Sequence, residues 1–450
     1  MGRLFGTDGI RGIANSSLSC ELALKLGRAA AMVLSSKARR KPLFVIGMDT
    51  RISSEMLSSA ITAGLCSVGA DVLILGVVPT PAVAYLIEKY KADAGIMISA
   101  SHNSFEYNGI KIFSGDGYKL PDVLEDEIES IIENIKEIKT VEGVSVGNVT
   151  YVNTAIKYYI EHLKSTVPYS LNGIKIAIDC ANGSASYTAK SLMEQLGAEA
   201  SILYDEPNGI NINDNCGSTH LENLIKYVKE NKMDIGIAFD GDADRCLCVD
   251  ENGNIIDGDQ IIAMCAADMK ERGKLSKSTV IGTILTNLGF VKFCEANDIN
   301  FIATKVGDRY VLEEMLLEEY NLGGEQSGHI IFRDYATTGD GELTAIQVLS
   351  LIKRTKKKIS ELANIMKKYP QVSINVTVSQ EGKVQFYTNE KVKEIIDRAK
   401  EKLIDSGRII VRPSGTEPKI RVMVECFNEE LMNEVANKVV EVIEKELGKL

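Results

Sequence analysis

The sequence predicts an α/β protein made of three similar mixed-sheet α/β domains and a smaller α+β domain at the carboxyl terminus. Three observations lead there. A chain of 450 residues is too long for one hydrophobic core, and ordinary domain sizes divide it into three or four parts. Through residues 1–368, short apolar runs alternate with segments of helical periodicity, as in strands covered by helices. In residues 369–450 the alternation gives way to strand-like runs between two long amphipathic segments.

Taken in order, residues 21–35 and 55–68 place apolar side chains at helical spacing, while 43–48, 72–75 and 95–99 are apolar runs of strand length. The second stretch repeats the theme with a strand at 174–179, helices at 188–196 and 221–231, and a strand at 235–239. A third unit carries helices at 260–272, 309–319 and 342–353 and strands at 279–283 and 301–304. The last part reads as strands 372–378, 408–411 and 420–426 with helices 390–404 and 429–447. The expected domains are therefore 1–152, 153–253, 254–368 and 369–450, with no low-complexity linker between them.

Composition narrows the class. Hydrophobic content of 45% and charged content of 25% are ordinary for a globular protein, and no apolar run is long enough to span a bilayer. The start, Met1-Gly2-Arg3-Leu4-Phe5-Gly6-Thr7-Asp8, has no apolar signal core, and Gly6 stands where a myristoylation motif takes Ser or Thr. A cytoplasmic protein without a membrane partner is expected. Nine cysteines lack zinc-type C-x-x-C pairs and read as reduced core thiols. A net charge of −11 argues against nucleic acid as a partner and requires a locally positive cleft for any anionic substrate.

The chemistry concentrates in four segments. In Asp240-Gly241-Asp242-Ala243-Asp244-Arg245, three carboxylates follow the strand-like 235–239 and are costly to hold together without a cation. Each like-charged pair at ~4 Å costs on the order of 4 kcal/mol at an effective dielectric of 20. Oxygen-only ligands favour Mg²⁺, Ca²⁺ or Mn²⁺ over zinc. A helix-flanked calcium loop also fits Asp240, Asp242, Asp244 and Glu251 by position, but it needs glycine where Arg245 stands. An acidic surface turn without an ion is the bland alternative.

Ser101, in Ile98-Ser99-Ala100-Ser101-His102-Asn103, is a candidate nucleophile at a second strand end, without the frame of a hydrolase elbow. A hydrogen-bonded turn serine is its plain reading, and Lys111 in the following Asn108-Gly109-Ile110-Lys111 raises the functional one. Gly324-Glu325-Gln326-Ser327-Gly328-His329 offers a carboxylate, a hydroxyl and an imidazole suited to a polyhydroxy ligand, although His329 alone reads as a structural histidine. Arg412-Pro413-Ser414-Gly415-Thr416-Glu417-Pro418-Lys419-Ile420-Arg421 is a stiffened loop bracketed by arginines, fit for a phosphate or else an exposed turn.

Together, and in this order along essentially the whole chain, the four segments resemble the phosphoserine, metal, sugar and phosphate loops of the α-D-phosphohexomutase superfamily. Phe5-Gly6-Thr7-Asp8-Gly9-Ile10-Arg11-Gly12 and Val306-Gly307-Asp308-Arg309-Tyr310-Val311 strengthen the likeness, toward the members that act on amino-sugar phosphates. Ser104 departs from it, since the family commonly has proline there. The resemblance implies four domains around a central cleft and one Mg²⁺ per chain, held by Asp240, Asp242, Asp244 and the phosphoryl group on Ser101. It further implies interconversion of glucosamine 6-phosphate and glucosamine 1-phosphate through a bisphosphate, with glucosamine 1,6-bisphosphate or glucose 1,6-bisphosphate as activator. By the same likeness Arg11, His102, Lys111, Arg245 and His329 serve the reacting group. Lys305, Gly307, Glu325, Ser327, Arg412, Ser414, Gly415, Thr416 and Arg421 would bind the hexosamine phosphate. Phosphomannomutase or phosphoglucomutase activity is the near alternative; a Mg²⁺-dependent phosphatase or a non-catalytic sugar-phosphate sensor is the distant one. The oligomeric state stays open, a homodimer included.

Overall fold

The computed structural model describes residues 4–6, 8–35, 40–133, 138–404, 406–414 and 418–448. Two compact units form, one of Met1–Leu285 with Asp298–Ile365, the other of Thr286–Asn297 with Met366–Leu450. The first unit holds three α/β sheets and the second a smaller antiparallel one, matching the predicted fold class.

The first sheet contains β1 (Ile10–Ile13), β2 (Leu43–Met48), β3 (Asp71–Val77), β4 (Ala94–Ile98), β5 (Tyr107–Ser114) and β6 (Val149–Tyr151), in the order β1-β5-β4-β2-β3-β6. Strands β2, β3, β4 and β6 are parallel, and β5 returns antiparallel to β4. The second has β7 (Lys175–Asp179), β8 (Glu199–Leu203), β9 (Ile235–Phe239), β10 (Cys246–Asp250) and β11 (Ile255–Ile256), ordered β11-β10-β9-β7-β8. The third has β12 (Thr279–Thr283), β13 (Asn300–Thr304), β14 (Leu322–Gly324) and β15 (Ile330–Phe332), ordered β13-β12-β14-β15.

One device recurs in all three sheets. A buried parallel strand runs into a short loop and returns as an antiparallel neighbour: β4 to β5, β9 to β10, β14 to β15. Those three loops are the predicted serine, metal and sugar loops. A strand buried on both faces reads as unbroken apolar sequence, which is why Ile235–Phe239 stands out while the short β14 and β15 do not.

In the second unit β16 (Gln371–Thr377), β17 (Gly407–Pro413) and β18 (Lys419–Cys426) form an antiparallel sheet in the order β16-β18-β17. Its core joins Val376, Ile420, Val422 and Val424 to Val435, Val439 and Ile443 of the closing helix Glu429–Leu447. The segment Thr286–Asn297, which connects β12 to β13, packs in this unit. Asn287 donates from Nδ2 to Tyr369 O at 3.1 Å, and Glu425 Oε2 accepts from Leu288 N at 3.0 Å. Among the described residues no helix is long and apolar enough to cross a membrane.

Candidate active site

The serine loop is held by its backbone. Ser101 has φ 53°, a left-handed conformation that non-glycine residues adopt at a cost of about 1–2 kcal/mol. Three groups impose it. The Ser101 N–H donates to Ser99 Oγ at 2.9 Å, and its carbonyl accepts from Arg51 Nη2 and Asn213 Nδ2, each at 2.9 Å. Arg51 is itself fixed by a buried ion pair with Asp49 at 2.8 Å. Its guanidinium also takes the carbonyls of Asn103 and Ser104, so this loop is pinned through groups that serine offers as well as proline.

The Ser101 hydroxyl donates to Asp240 Oδ2 at 2.5 Å, joining the serine and metal loops. Gly241 allows the approach, since a Cβ there would meet Ser101 O at 2.6 Å. His102 places Nδ1 3.4 Å from Ser101 Oγ. Burial, then the nearby Arg245 and Arg11, lower its pKa to about 4, so it is a neutral imidazole at pH 7.

Asp240, Asp242 and Asp244 are at most 3% exposed, which removes the surface-turn reading. One oxygen from each lies within 4.8 Å of the others. Their charge is met by a buried cation, because Lys111 Nζ lies 2.8 Å from Asp242 Oδ2, 3.4 Å from Asp244 Oδ2 and 3.0 Å from Asp8 Oδ2. Thr80, at the start of the helix Thr80–Tyr90, donates its hydroxyl to Asp242 Oδ2 at 2.6 Å and its N–H to Asp242 O at 2.9 Å. That helix turns its positive end to the loop. Arg245 Nε stands 3.8 Å from Asp244 and 4.0 Å from Asp240.

Even so, the acids are not fully compensated. Asp242 Oδ1 and Asp244 Oδ1 are buried without a hydrogen-bond partner among the described residues. Burial, with Asp244 and Asp242 adding to it, pushes Asp240 up to about 8, whereas Asp244 is held well below the carboxylate range against burial by Lys111 and His329. Two orphaned carboxylate oxygens beside a third, proton-retaining carboxyl form a donor set that fits a hard divalent cation. The calcium-loop alternative fails on geometry: β10 begins directly after the loop, and Glu251 accepts from Ser360 Oγ at 2.6 Å.

The sugar loop reaches the same cluster through His329, whose Nδ1 is 3.6 Å from Asp244 and whose Nε2 is 3.5 Å from Asp308. Burial opposes its charge, but the two carboxylates raise its pKa. Gly328, with φ 91°, packs so tightly on Cys246 O that a Cβ would sit 2.4 Å from it. Glu325, raised by burial and then by Asp308, accepts from Gly307 N at 3.1 Å. Lys305 and Ser327 are exposed, the lysine with Nζ 5.6 Å from the Tyr310 ring centre. Arg11, also exposed, pairs with Asp8 and donates to Asn103 Oδ1 at 3.3 Å.

Arg412, Ser414 and Arg421 belong to the second unit, where Arg412 and Arg421 are directly paired across β17 and β18. Burial and then Arg421 lower the Arg412 pKa. Like charges opposed on neighbouring strands are destabilising unless an anion joins them. Gly415 and Thr416 lie outside the described residues.

Family models match nearly the whole chain as phosphoglucomutase/phosphomannomutase alpha/beta/alpha domains I, II and III over residues 2–139, 157–253 and 257–369, and as the C-terminal domain over 374–442. The chain is 52% identical over 446 residues to a phosphoglucosamine mutase of Clostridium beijerinckii, covering 99% of each. The chain belongs to the phosphoglucomutase/phosphomannomutase family. This phosphohexomutase is also 50% identical over 449 residues to a phosphoglucosamine mutase of Acetivibrio thermocellus, covering 100% of both. In fold it matches a crystal structure of a phosphoglucomutase/phosphomannomutase family protein from Burkholderia thailandensis, with TM-score 0.85 at 22% identity over 99% of this chain and 98% of that one.

Several residues of the phosphohexomutase site escaped the sequence reading. Asp8 and Asp308 sit in motifs singled out there, yet their part emerges only in the fold: they flank Lys119, whose Nζ contacts both, and Asp8 also binds Lys111. Lys119, Thr80, Arg51 and Asn213 carry no local signal, because each acts on a loop remote in sequence.

Proposed function

We propose that this phosphohexomutase interconverts glucosamine 6-phosphate and glucosamine 1-phosphate, with Ser101 carrying the phosphoryl group and Asp240, Asp242 and Asp244 holding Mg²⁺. One observation carries the mechanism: the Ser101 hydroxyl rests on a buried carboxylate trio that retains two orphaned oxygens. The sugar assignment rests on identities of 50–53% to phosphoglucosamine mutases over their full length.

When bound, the ion would neutralise charge on the transferring phosphoryl group, the main requirement of this chemistry. The protein supplies the rest. In the forward half, the bond from phosphorus to Ser101 Oγ breaks as one forms to the sugar C1 oxygen; the C1 hydroxyl proton leaves to a base, His329 and Arg11 being the groups assigned to take or steer it, and the released Oγ takes up a proton. The resulting 1,6-bisphosphate turns over. Ser101 Oγ then gives up its proton and attacks the 6-phosphate, the bond from phosphorus to the sugar O6 breaks, and O6 takes a proton back from the base; the Ser101 hydroxyl is held for this attack by its hydrogen bond to Asp240 at 2.5 Å. Lys111 and Arg245 help hold Asp244 ionised against its burial and put positive charge close to the reacting group. Glu325 and Ser327 bind sugar hydroxyls, Lys305 and Gly307 help seat either orientation, and Arg412, Ser414, Gly415, Thr416 and Arg421 grip the idle phosphate. Glucosamine 1,6-bisphosphate or glucose 1,6-bisphosphate would charge a bare Ser101 by the same transfer.

The test is an assay of purified protein on glucosamine, glucose and mannose 6-phosphates, with peptide mapping of the phosphate. Highest kcat/KM on the glucosamine substrate and phosphate on Ser101 are expected. Preference for mannose 6-phosphate would overturn the sugar assignment, and phosphate on any other residue would overturn the mechanism.

A further inference from the structure

A second charged cavity lies at the far end of β9. It opens between the start of β7, the start of β9, the turn after β10 and the ends of the helices Glu222–Asn231 and Gly341–Thr355, and has a volume of about 590 Å³. Six lysines line it: Lys229, Lys232, Lys353, Lys356, Lys357 and Lys358. Only two carboxylates do, Asp234 and Glu251. In a chain of net charge −11 this is a marked local reversal. The acid cluster begins at Asp240, beyond the opposite end of the five-residue β9, about 16 Å of strand away. The cavity is therefore separate from the reacting centre.

Helix ends account for part of the pattern. Lysines in a last turn offset the negative pole of a helix, and Lys229 and Lys353 stand in such turns. Dipole compensation does not reach the others. Lys232 and Lys356 cap their helices in the left-handed region, with φ 51° and 58°, where glycine is the unstrained choice. Lysine instead carries an ammonium to the rim of the cavity at both caps. Lys357 and Lys358 follow outside the helix. Two lysines are engaged, Lys353 with Asn172 O at 2.6 Å and Lys358 at 3.9 Å from Glu251. Among the described residues Lys229, Lys232, Lys356 and Lys357 form no ion pair.

We propose that this cavity binds a small multiply charged anion, an oligophosphate or a metabolite with more than one phosphate. The lining selects that class. Lysines are mobile point charges that suit phosphate oxygens without demanding a planar partner, and among the described residues neither arginine nor any aromatic ring lines the cavity to clasp a carboxylate or stack a nucleobase. The volume is that of a small-molecule site, and its concavity disfavours a flat lipid surface. The same two elements that frame the cavity reach the metal loop: β9 leads into Asp240, and at the start of the helix Gly341–Thr355, Gly341 N donates to Ala243 O at 3.0 Å.

The test is lysine footprinting of the full chain with an acylating reagent, read by peptide mass spectrometry, with and without inorganic tripolyphosphate at fixed ionic strength. Tripolyphosphate should protect Lys229, Lys232, Lys356 and Lys357 saturably, at least several-fold, where chloride at equal ionic strength does not. Calorimetric titration should then show a binding event that the Lys356→Glu/Lys357→Glu variant weakens tenfold or more while basal mutase turnover is kept. Equal protection by chloride, unchanged tripolyphosphate binding in that variant, or protection by anionic phospholipid vesicles but not by tripolyphosphate would each overturn the proposal.

Discussion

At the carboxyl end of β9, three aspartates are buried and crowded against Lys111, Arg245 and Thr80; at its amino end, six lysines surround an open cavity and, among the described residues, only Lys358 pairs with an acid. The contrast is one of solvent. Exposed ammonium groups are hydrated and screened, so their crowding costs little. A carboxylate removed from water has to be matched atom by atom, and where matching stops, at Asp242 Oδ1 and Asp244 Oδ1, the protein holds stored affinity for a cation. On the proposed readings, one end would hold a resident ion with fixed ligands, and the other a diffusible anion with adaptable ones.

The largest effect expected is on turnover. Ser101→Ala should lower mutase kcat by roughly 10⁴-fold or more, because the group proposed to carry the phosphoryl is gone. It should also abolish phosphate incorporation by intact mass. Residual turnover near wild type would break the link between the serine and the acid end. Asp242→Asn should cost about 10²–10³-fold in kcat, with an unchanged far-ultraviolet spectrum. Excess chelator should reproduce the loss in wild type and Mg²⁺ should reverse it; full activity in chelator would remove the ion from the comparison.

Stability sharpens it further. Lys111→Met leaves buried carboxylates without their counter-ion and should destabilise by about 3–5 kcal/mol in denaturant titration at neutral pH, a deficit that Mg²⁺ narrows. The same change at the other end, Lys356→Met, should stay within about 0.5 kcal/mol. Equal losses would mean that burial is not what separates the two regions.

The smallest effect is a pH slope. Glu342, on the helix that runs between the two ends, is buried and hydrogen-bonded to Thr188, and burial raises its pKa to about 8 from 4.5. A carboxyl raised in the folded state holds its proton more tightly there, so its contribution is full below about 4.5 and is lost as pH rises through about 8. Glu342→Gln should flatten that part of the stability curve. Parallel curves for the two proteins would show that Glu342 titrates normally.

The amino-acid sequence by itself determined the fold class, the order of the four loops and the ionic character of the metal loop. Long apolar runs such as Ile235–Phe239 and the packed carboxylates after them are local signals, because strand burial and charge crowding are visible within one segment. Short or edge elements were not legible: β1, β11, β14 and β15 are too brief for a period to register. Nor was the role of Thr286–Asn297, which connects two strands of the first unit yet packs in the second. Only the tertiary structure decided that Lys111 stands among Asp8, Asp242 and Asp244, that Arg51 and Asn213 hold Ser101 in its left-handed turn, and that lysines from two helix ends and a turn share one cavity. The physical reason is the same each time: a charge acts through space, and which charges come within a few ångströms is set by how strands and helices pack, not by their distance along the chain.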